Sequence, residues 1–185
     1  VAVAAVTVQN SVGVSGFHEI PAAIVADQVR AVVTDIGVSA AKTGMLASAQ
    51  IIEAVASVCD EVGIGRNGTI PLVVDPVCAS MHGDALLHEN ALDTLRTVLI
   101  PRATVVTPNL DEVRLLTGID VVGDATAQTA ARQLHEMGAR WALVKGGHLR
   151  GSDTSVDILY DGSDFTEFTS PRFPTGNDHG GGDTL

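Results

Sequence analysis

Apolar residues along this chain fall into two alternating patterns, short continuous runs and longer stretches in which they recur at helical spacing. Val1 to Val8 is the first continuous run and predicts a strand, buried and central because a strand covered on both faces has no polar alternation. Pro21 stands where a first helical turn tolerates proline, and Ile24, Val25, Val29, Val32 and Val33 then predict a helix to about Asp35. Ser39 to Thr43 is a weak short strand. Ser48 is placed to cap a helix with Ile51, Ile52, Val55 and Val58 on its apolar face, before Gly63 and Gly65. Pro71 to Pro76 reads as a short buried strand, Ala91 to Leu99 as a helix, and Ala103 to Val106 as a strand closed by Thr107-Pro108-Asn109. Helices follow over Leu110 to Leu116 and Ala127 to Met137, stopped by Gly118 and Gly138, and Trp141 to Lys145 is the next strand. Val156 to Tyr160 and Phe165 to Thr169 alternate around Asp161-Gly162 as an antiparallel hairpin. This order predicts an α/β fold with a mostly parallel central sheet, helices on both faces and an antiparallel edge hairpin.

In such sheets ligands approach the carboxyl ends of the strands, and here those ends are polar. Asp75 closes one strand, Thr107 and Asn109 another, and Lys145 a third. Asn109 and Glu112 stand three apart at a helix start, which admits two interpretations: both side chains face one crevice, or they form a reciprocal capping box. Asp75 likewise has a plain alternative as a turn former beside Pro76. Near the carboxyl end Gly180, Gly181 and Gly182 run into Asp183 and Thr184. Residues without Cβ let backbone N–H groups converge into an anion site, and an adjacent carboxylate is suited to take a proton.

Composition narrows the partners. The formal charge is −11 and aromatics make up 3% of the 185 residues, which excludes a nucleic-acid binder relying on basic patches or stacking platforms. Cys59 and Cys78 have no metal-binding spacing and fit a reduced compartment as packing residues. The opening apolar run is much shorter than the ~20 residues of a membrane span and lacks a basic flank, so a cytoplasmic protein is expected.

Thr107-Pro108-Asn109-Leu110-Asp111-Glu112, Val144-Lys145-Gly146-Gly147-His148 and Asn177-Asp178-His179-Gly180-Gly181-Gly182-Asp183-Thr184-Leu185 resemble the ribokinase-like superfamily, and most closely its hydroxymethylpyrimidine/phosphomethylpyrimidine kinases. Val8-Gln9-Asn10-Ser11, Lys42-Thr43-Gly44-Met45-Leu46 and Val74-Asp75-Pro76-Val77 resemble the same kinases. The resemblance implies one ribokinase-like domain over residues 1–185, and a homodimer that uses ATP and Mg²⁺ to phosphorylate an aminopyrimidine alcohol and its monophosphate for thiamine biosynthesis. By matching position it implies that Gln9, Met45 and Val77 contact the pyrimidine, that Lys145, Asn109 and Thr107 lie on the nucleotide side, and that Asp75 and Glu112 lie near the metal. Gly180, Gly181 and Gly182 would form the anion hole for the transferring phosphoryl group, with Asp183 as the base. These kinases usually carry Cys where Asp183 stands, whereas pyridoxal kinases carry Asp, which makes pyridoxal kinase the enzymatic alternative. The family's Gly-rich first strand and its helices after the Gly loop are not in this sequence, so a chain truncated at both ends is expected, with a catalytically silent domain as a further alternative.

Overall fold

The computed structural model describes residues 1–10, 13–78, 90–146 and 154–171. Two sheets organise them. A hairpin of β1 (Ala5–Asn10) and β2 (Gly13–Glu19) stands apart as a two-stranded antiparallel sheet. The main sheet has six strands in chain order: β3 (Ala41–Thr43), β4 (Leu72–Val74), β5 (Val105–Val106), β6 (Trp141–Val144), β7 (Thr154–Tyr160) and β8 (Phe165–Pro171). β3 to β6 run parallel, and β7 and β8 add an antiparallel edge. The helices are α1 (Ala22–Asp35), α2 (Ala49–Val62), α3 (Ala91–Thr94), α4 (Leu110–Thr117) and α5 (Asp124–Glu136).

Because consecutive parallel strands are neighbours, each right-handed crossover moves the same way across the sheet, and the connecting helices gather on one face. Burial follows this rule. Val74, Val106 and Ala142 lie in register across three strands and are fully buried, whereas Trp141, in register with Val105 on the opposite face, is partly exposed. Ile51, Ile52 and Val55 of α2 and Ala130, Ala131 and Leu134 of α5 complete the same core.

The opening run departs from expectation. It is not a central buried strand, since β1 pairs with β2, and Val6 and Val8 are more than half exposed. Continuous apolar character cannot distinguish a two-sided buried strand from a hairpin strand, and Gly13–Glu19 hides its strand character behind two glycines, a histidine and a glutamate. Ser48 is the N-cap residue of α2 but makes no capping bond there. Its hydroxyl instead donates to Glu19 Oε2 at 2.7 Å, tying the hairpin base to the start of the helix. The helix expected over Ala91 to Leu99 is α-helical only through Thr94 and then widens into a π turn, Leu95–Leu99, followed by a 3₁₀ turn, Ile100–Arg102. Pro101 has no N–H to offer a regular helix.

Gly138 is required by its surroundings: its φ is +113°, and an added Cβ would lie 2.9 Å from Pro101 Cα. Gly138→Ala is therefore expected to lower unfolding stability by about 1–3 kcal/mol in urea titrations, while Val122→Thr at an exposed loop position changes it by less than about 0.5 kcal/mol. Equal effects of the two substitutions would refute this account of the turn.

Candidate active site

The four parallel strands end at one edge, and backbone pairing continues a residue or two beyond them. Asp75 N–H donates to Thr43 C=O, Thr107 N–H to Val74 C=O, and Lys145 N–H to Pro108 C=O, at 2.9 to 3.1 Å. Asn109 and Lys145 form a further parallel bridge. Four segments distant in sequence are thereby held side by side: Thr43-Gly44-Met45, Asp75-Pro76-Val77, Thr107-Pro108-Asn109 and Lys145-Gly146.

Asp75 sits at the middle of this edge with only 6% of its surface exposed. A buried carboxylate is costly unless paired, and this one has a cation on each oxygen. Lys42 Nζ lies 3.3 Å from Oδ2 and Lys145 Nζ 3.4 Å from Oδ1. Val77 N–H donates to Asp75 C=O at 2.9 Å, a tight turn centred on Pro76 that directs the chain away from the strand end. Asp75, Pro76 and Val77 line a small cleft with Gly44, backed by Leu46, Ile52 and Leu95. Met45 is half-buried between two of these lining residues.

Glu112 and Asn109 resolve the choice left open by their spacing in favour of the capping box. Glu112 N–H donates to Asn109 Oδ1 at 2.9 Å, and Asn109 N–H donates to Glu112 Oε2 at 2.8 Å. The metal role expected of Glu112 therefore competes with a structural duty, since its carboxylate is turned back onto backbone N–H groups rather than offered freely to an ion. Burial pushes the Glu112 carboxyl up to about 7, against the bond from Asn109 and the attraction of Lys145, which pull it down; the nearby Asp75 charge adds to the rise. Burial likewise pushes the Cys78 thiol up to about 12, as expected of a packing cysteine.

Thr107 is buried at the end of β5, beside the helix start. Gln9 lies on the hairpin, paired with Val14 next to an irregularity in the register, and the described geometry does not join it to Asp75. Gly180, Gly181, Gly182 and Asp183 lie outside the described residues, as do Gly147 and His148. Two contributors went unassigned in the sequence. Lys42 occupies a motif position to which the motif assigns no role; a lone lysine one residue before a strand end is the available signal. Asp157 on β7 accepts from Gly146 N–H at 2.8 Å and fixes the turn after Lys145, where an added Cβ on Gly146 would strike Val156 C=O. Nothing local in the sequence announces a partner across a hairpin.

The raised Glu112 carboxyl has a stability consequence. Between its ordinary value of 4.5 and about 7 the folded chain holds a proton that the unfolded chain has released, so this group's contribution makes stability fall as pH rises through that window. Glu112→Gln keeps the cap and removes the titration, so its stability relative to the unsubstituted chain should improve from pH 4.5 to 7 by an amount on the order of 2 kcal/mol in denaturant titrations. Parallel pH profiles would overturn the assignment.

The model of the phosphomethylpyrimidine kinase family matches residues 1–185. The chain is 65% identical over its whole length to the hydroxymethylpyrimidine/phosphomethylpyrimidine kinase of Mycobacterium leprae, spanning 66% of that protein. Its fold is similar to the crystal structure of phosphomethylpyrimidine kinase from Clostridium difficile, with a TM-score of 0.80 and 33% identity, over 92% of this chain and 71% of that one. It is also similar to the pyridoxal kinase of Staphylococcus aureus in complex with AMP-PCP, with a TM-score of 0.82 and 29% identity, over 98% of this chain and 64% of that one. The chain thus spans about two thirds of the length of the relatives it matches, and along all of its own residues it belongs to the phosphomethylpyrimidine kinase family.

Proposed function

We propose that this protein is an ATP-dependent kinase that phosphorylates hydroxymethylpyrimidine and then its monophosphate in thiamine biosynthesis. The observation that carries the proposal is the juxtaposition of Asp75 and Lys145 at the carboxyl edge of the parallel sheet, 3.4 Å apart although 70 residues separate them in sequence. Phosphoryl transfer has a loose transition state in which positioning and charge neutralisation do most of the work, and a carboxylate beside a lysine supplies the two signs of charge such a site needs.

In this reading Lys145 meets the nucleotide phosphates as a point charge, with Asn109 and Thr107 on the same side, and the backbone N–H groups of Gly180 to Gly182 surround the transferring phosphoryl group. Asp183 accepts the proton as the alcohol oxygen attacks. Met45 and Val77 offer apolar contact to a flat ring, and Gln9 on the hairpin offers an amide that both donates and accepts. Support for the Gly180 to Asp183 and Gln9 roles comes from the sequence motif alone. Both Asp75 oxygens face lysines, so Asp75 fits Mg²⁺ once Lys145 has moved off Oδ1 toward the phosphates, that ion being typically held by one or two carboxylates together with substrate phosphates. When bound it would neutralise charge on the phosphate oxygens. Glu112 fits less well, because its carboxylate already serves the helix cap.

The pyridoxal kinase reading retains one specific support, Asp183 at the base position. Turnover of the pyrimidine alcohol and of pyridoxal, each with ATP and Mg²⁺ in the full-length protein, separates the two. The pyrimidine should be preferred by about tenfold or more in kcat/KM, a discrimination of about 1.4 kcal/mol or more. The opposite preference would make pyridoxal the substrate, and turnover of neither would refute the kinase assignment. Asp183→Asn should lower kcat by roughly 10²–10⁴-fold with nucleotide affinity retained; a fall below about threefold would show that another group takes the proton.

A further inference from the structure

Lys42 has no part in the mechanism above, yet it makes half of the ion pairing around Asp75. Its Nζ faces Oδ2 from the adjacent strand β3, while Lys145 reaches Oδ1 from β6, two strands away on the other side. At 3.4 Å the Lys145 contact is at the long end of the hydrogen-bonding range, so Asp75 does not clamp Lys145. Lys145 also attracts the buried Glu112 carboxyl, so it stands between two acidic groups, and Lys42 relieves it of part of one.

We infer that Lys42 is a positioning residue: by holding the far oxygen of Asp75 it leaves Lys145 loose enough to move onto the phosphates of the nucleotide. Without Lys42, the buried carboxylate would depend much more heavily on Lys145, because leaving a buried charge unpaired is more costly than shortening one lysine contact. A lysine closed onto a carboxylate has less of its charge to give to a phosphate. The side chain of Lys42 retains 29% exposure, against 18% for Lys145 and 7% for Asp75, so its ammonium is partly solvated and can serve as a counter-charge that stays in place while Lys145 shifts. A plain structural role would instead couple Lys42 to folding and to no ligand in particular.

The nucleotide arm of the test rests on the kinase reading, and a structural arm does not. In the full-length protein, Lys42→Met should weaken AMP-PCP binding in calorimetry by about tenfold, the scale of one charge-assisted contact, while affinity for the pyrimidine alcohol changes by less than about twofold. Lys42→Arg keeps a cation at this position and should restore AMP-PCP affinity to within about threefold, the remaining loss reflecting the different shape of the guanidinium. In a ligand-free crystal structure of Lys42→Met, Lys145 Nζ should close on Asp75 and contact both carboxylate oxygens. Unchanged AMP-PCP affinity, equal weakening of both ligands, or an Arg variant as impaired as Met would each overturn the inference. So would a Lys42→Met structure in which Lys145 keeps its single contact at 3.4 Å. If the unsubstituted protein binds no AMP-PCP, the kinase reading fails by itself, and the crystal structure still decides whether Lys42 keeps Lys145 from closing on Asp75.

Discussion

A carboxylate withdrawn from water at the end of an interior strand is the constraint around which this edge of the protein is built. Asp75 is tolerated there because lysines from strands on either side meet its two oxygens, and those lysines are in reach because the parallel strands are held in register, with β6 running two residues past the level where β4 and β5 end. The pairing therefore depends on the whole sheet, including the Asn109 to Lys145 bridge that extends it beyond β5 and β6. In return it gathers two cations and a carboxylate at the place where ligands of open α/β sheets bind. The same charges on separate surface loops would be screened and worth little.

The second organising feature is the capping box of α4. Glu112 closes the helix start that follows β5, and the same bonds hold its carboxylate within the field of Lys145 and Asp75. A single residue thus fixes the entry of the helix and places an acidic group near the strand-end lysine. That dual role explains why its spacing from Asn109 is compatible with both a cap and a crevice. The spacing of three brings two side chains together at a helix start whether their partner is a ligand or the backbone itself.

Much of the architecture was legible in the chain because burial and periodicity coincide. The runs at Leu72–Val74 and Trp141–Val144, the helical spacing through Ile51 to Val58, and the hairpin around Asp161-Gly162 each carry a local signal that packing reinforces. Asp75, Thr107, Asn109 and Lys145 were legible as strand ends. Illegible features share a cause: they depend on which partner a segment meets, and the segment's own residues do not state it. Val1 to Val8 reads as buried until β1 proves to pair with β2 alone among the described residues, and Ser48 reads as a cap until Glu19 takes its hydroxyl. Lys42 and Asp157 acquire meaning only when the sheet register sets them beside Asp75 and Gly146.

The central claim is that the Asp75 and Lys145 edge of the sheet is where phosphate chemistry takes place. A crystal structure of the full-length protein with AMP-PCP, Mg²⁺ and the pyrimidine alcohol tests it most directly. The triphosphate chain of the analogue should lie at this edge, with Lys145 Nζ displaced from Asp75 Oδ1 toward a phosphate oxygen and the ring of the alcohol against Met45 and Val77. Phosphates bound elsewhere, for instance in the cavity formed by Gly65, Arg66 and Arg102, with the Lys145 to Asp75 contact left as it is, would contradict it.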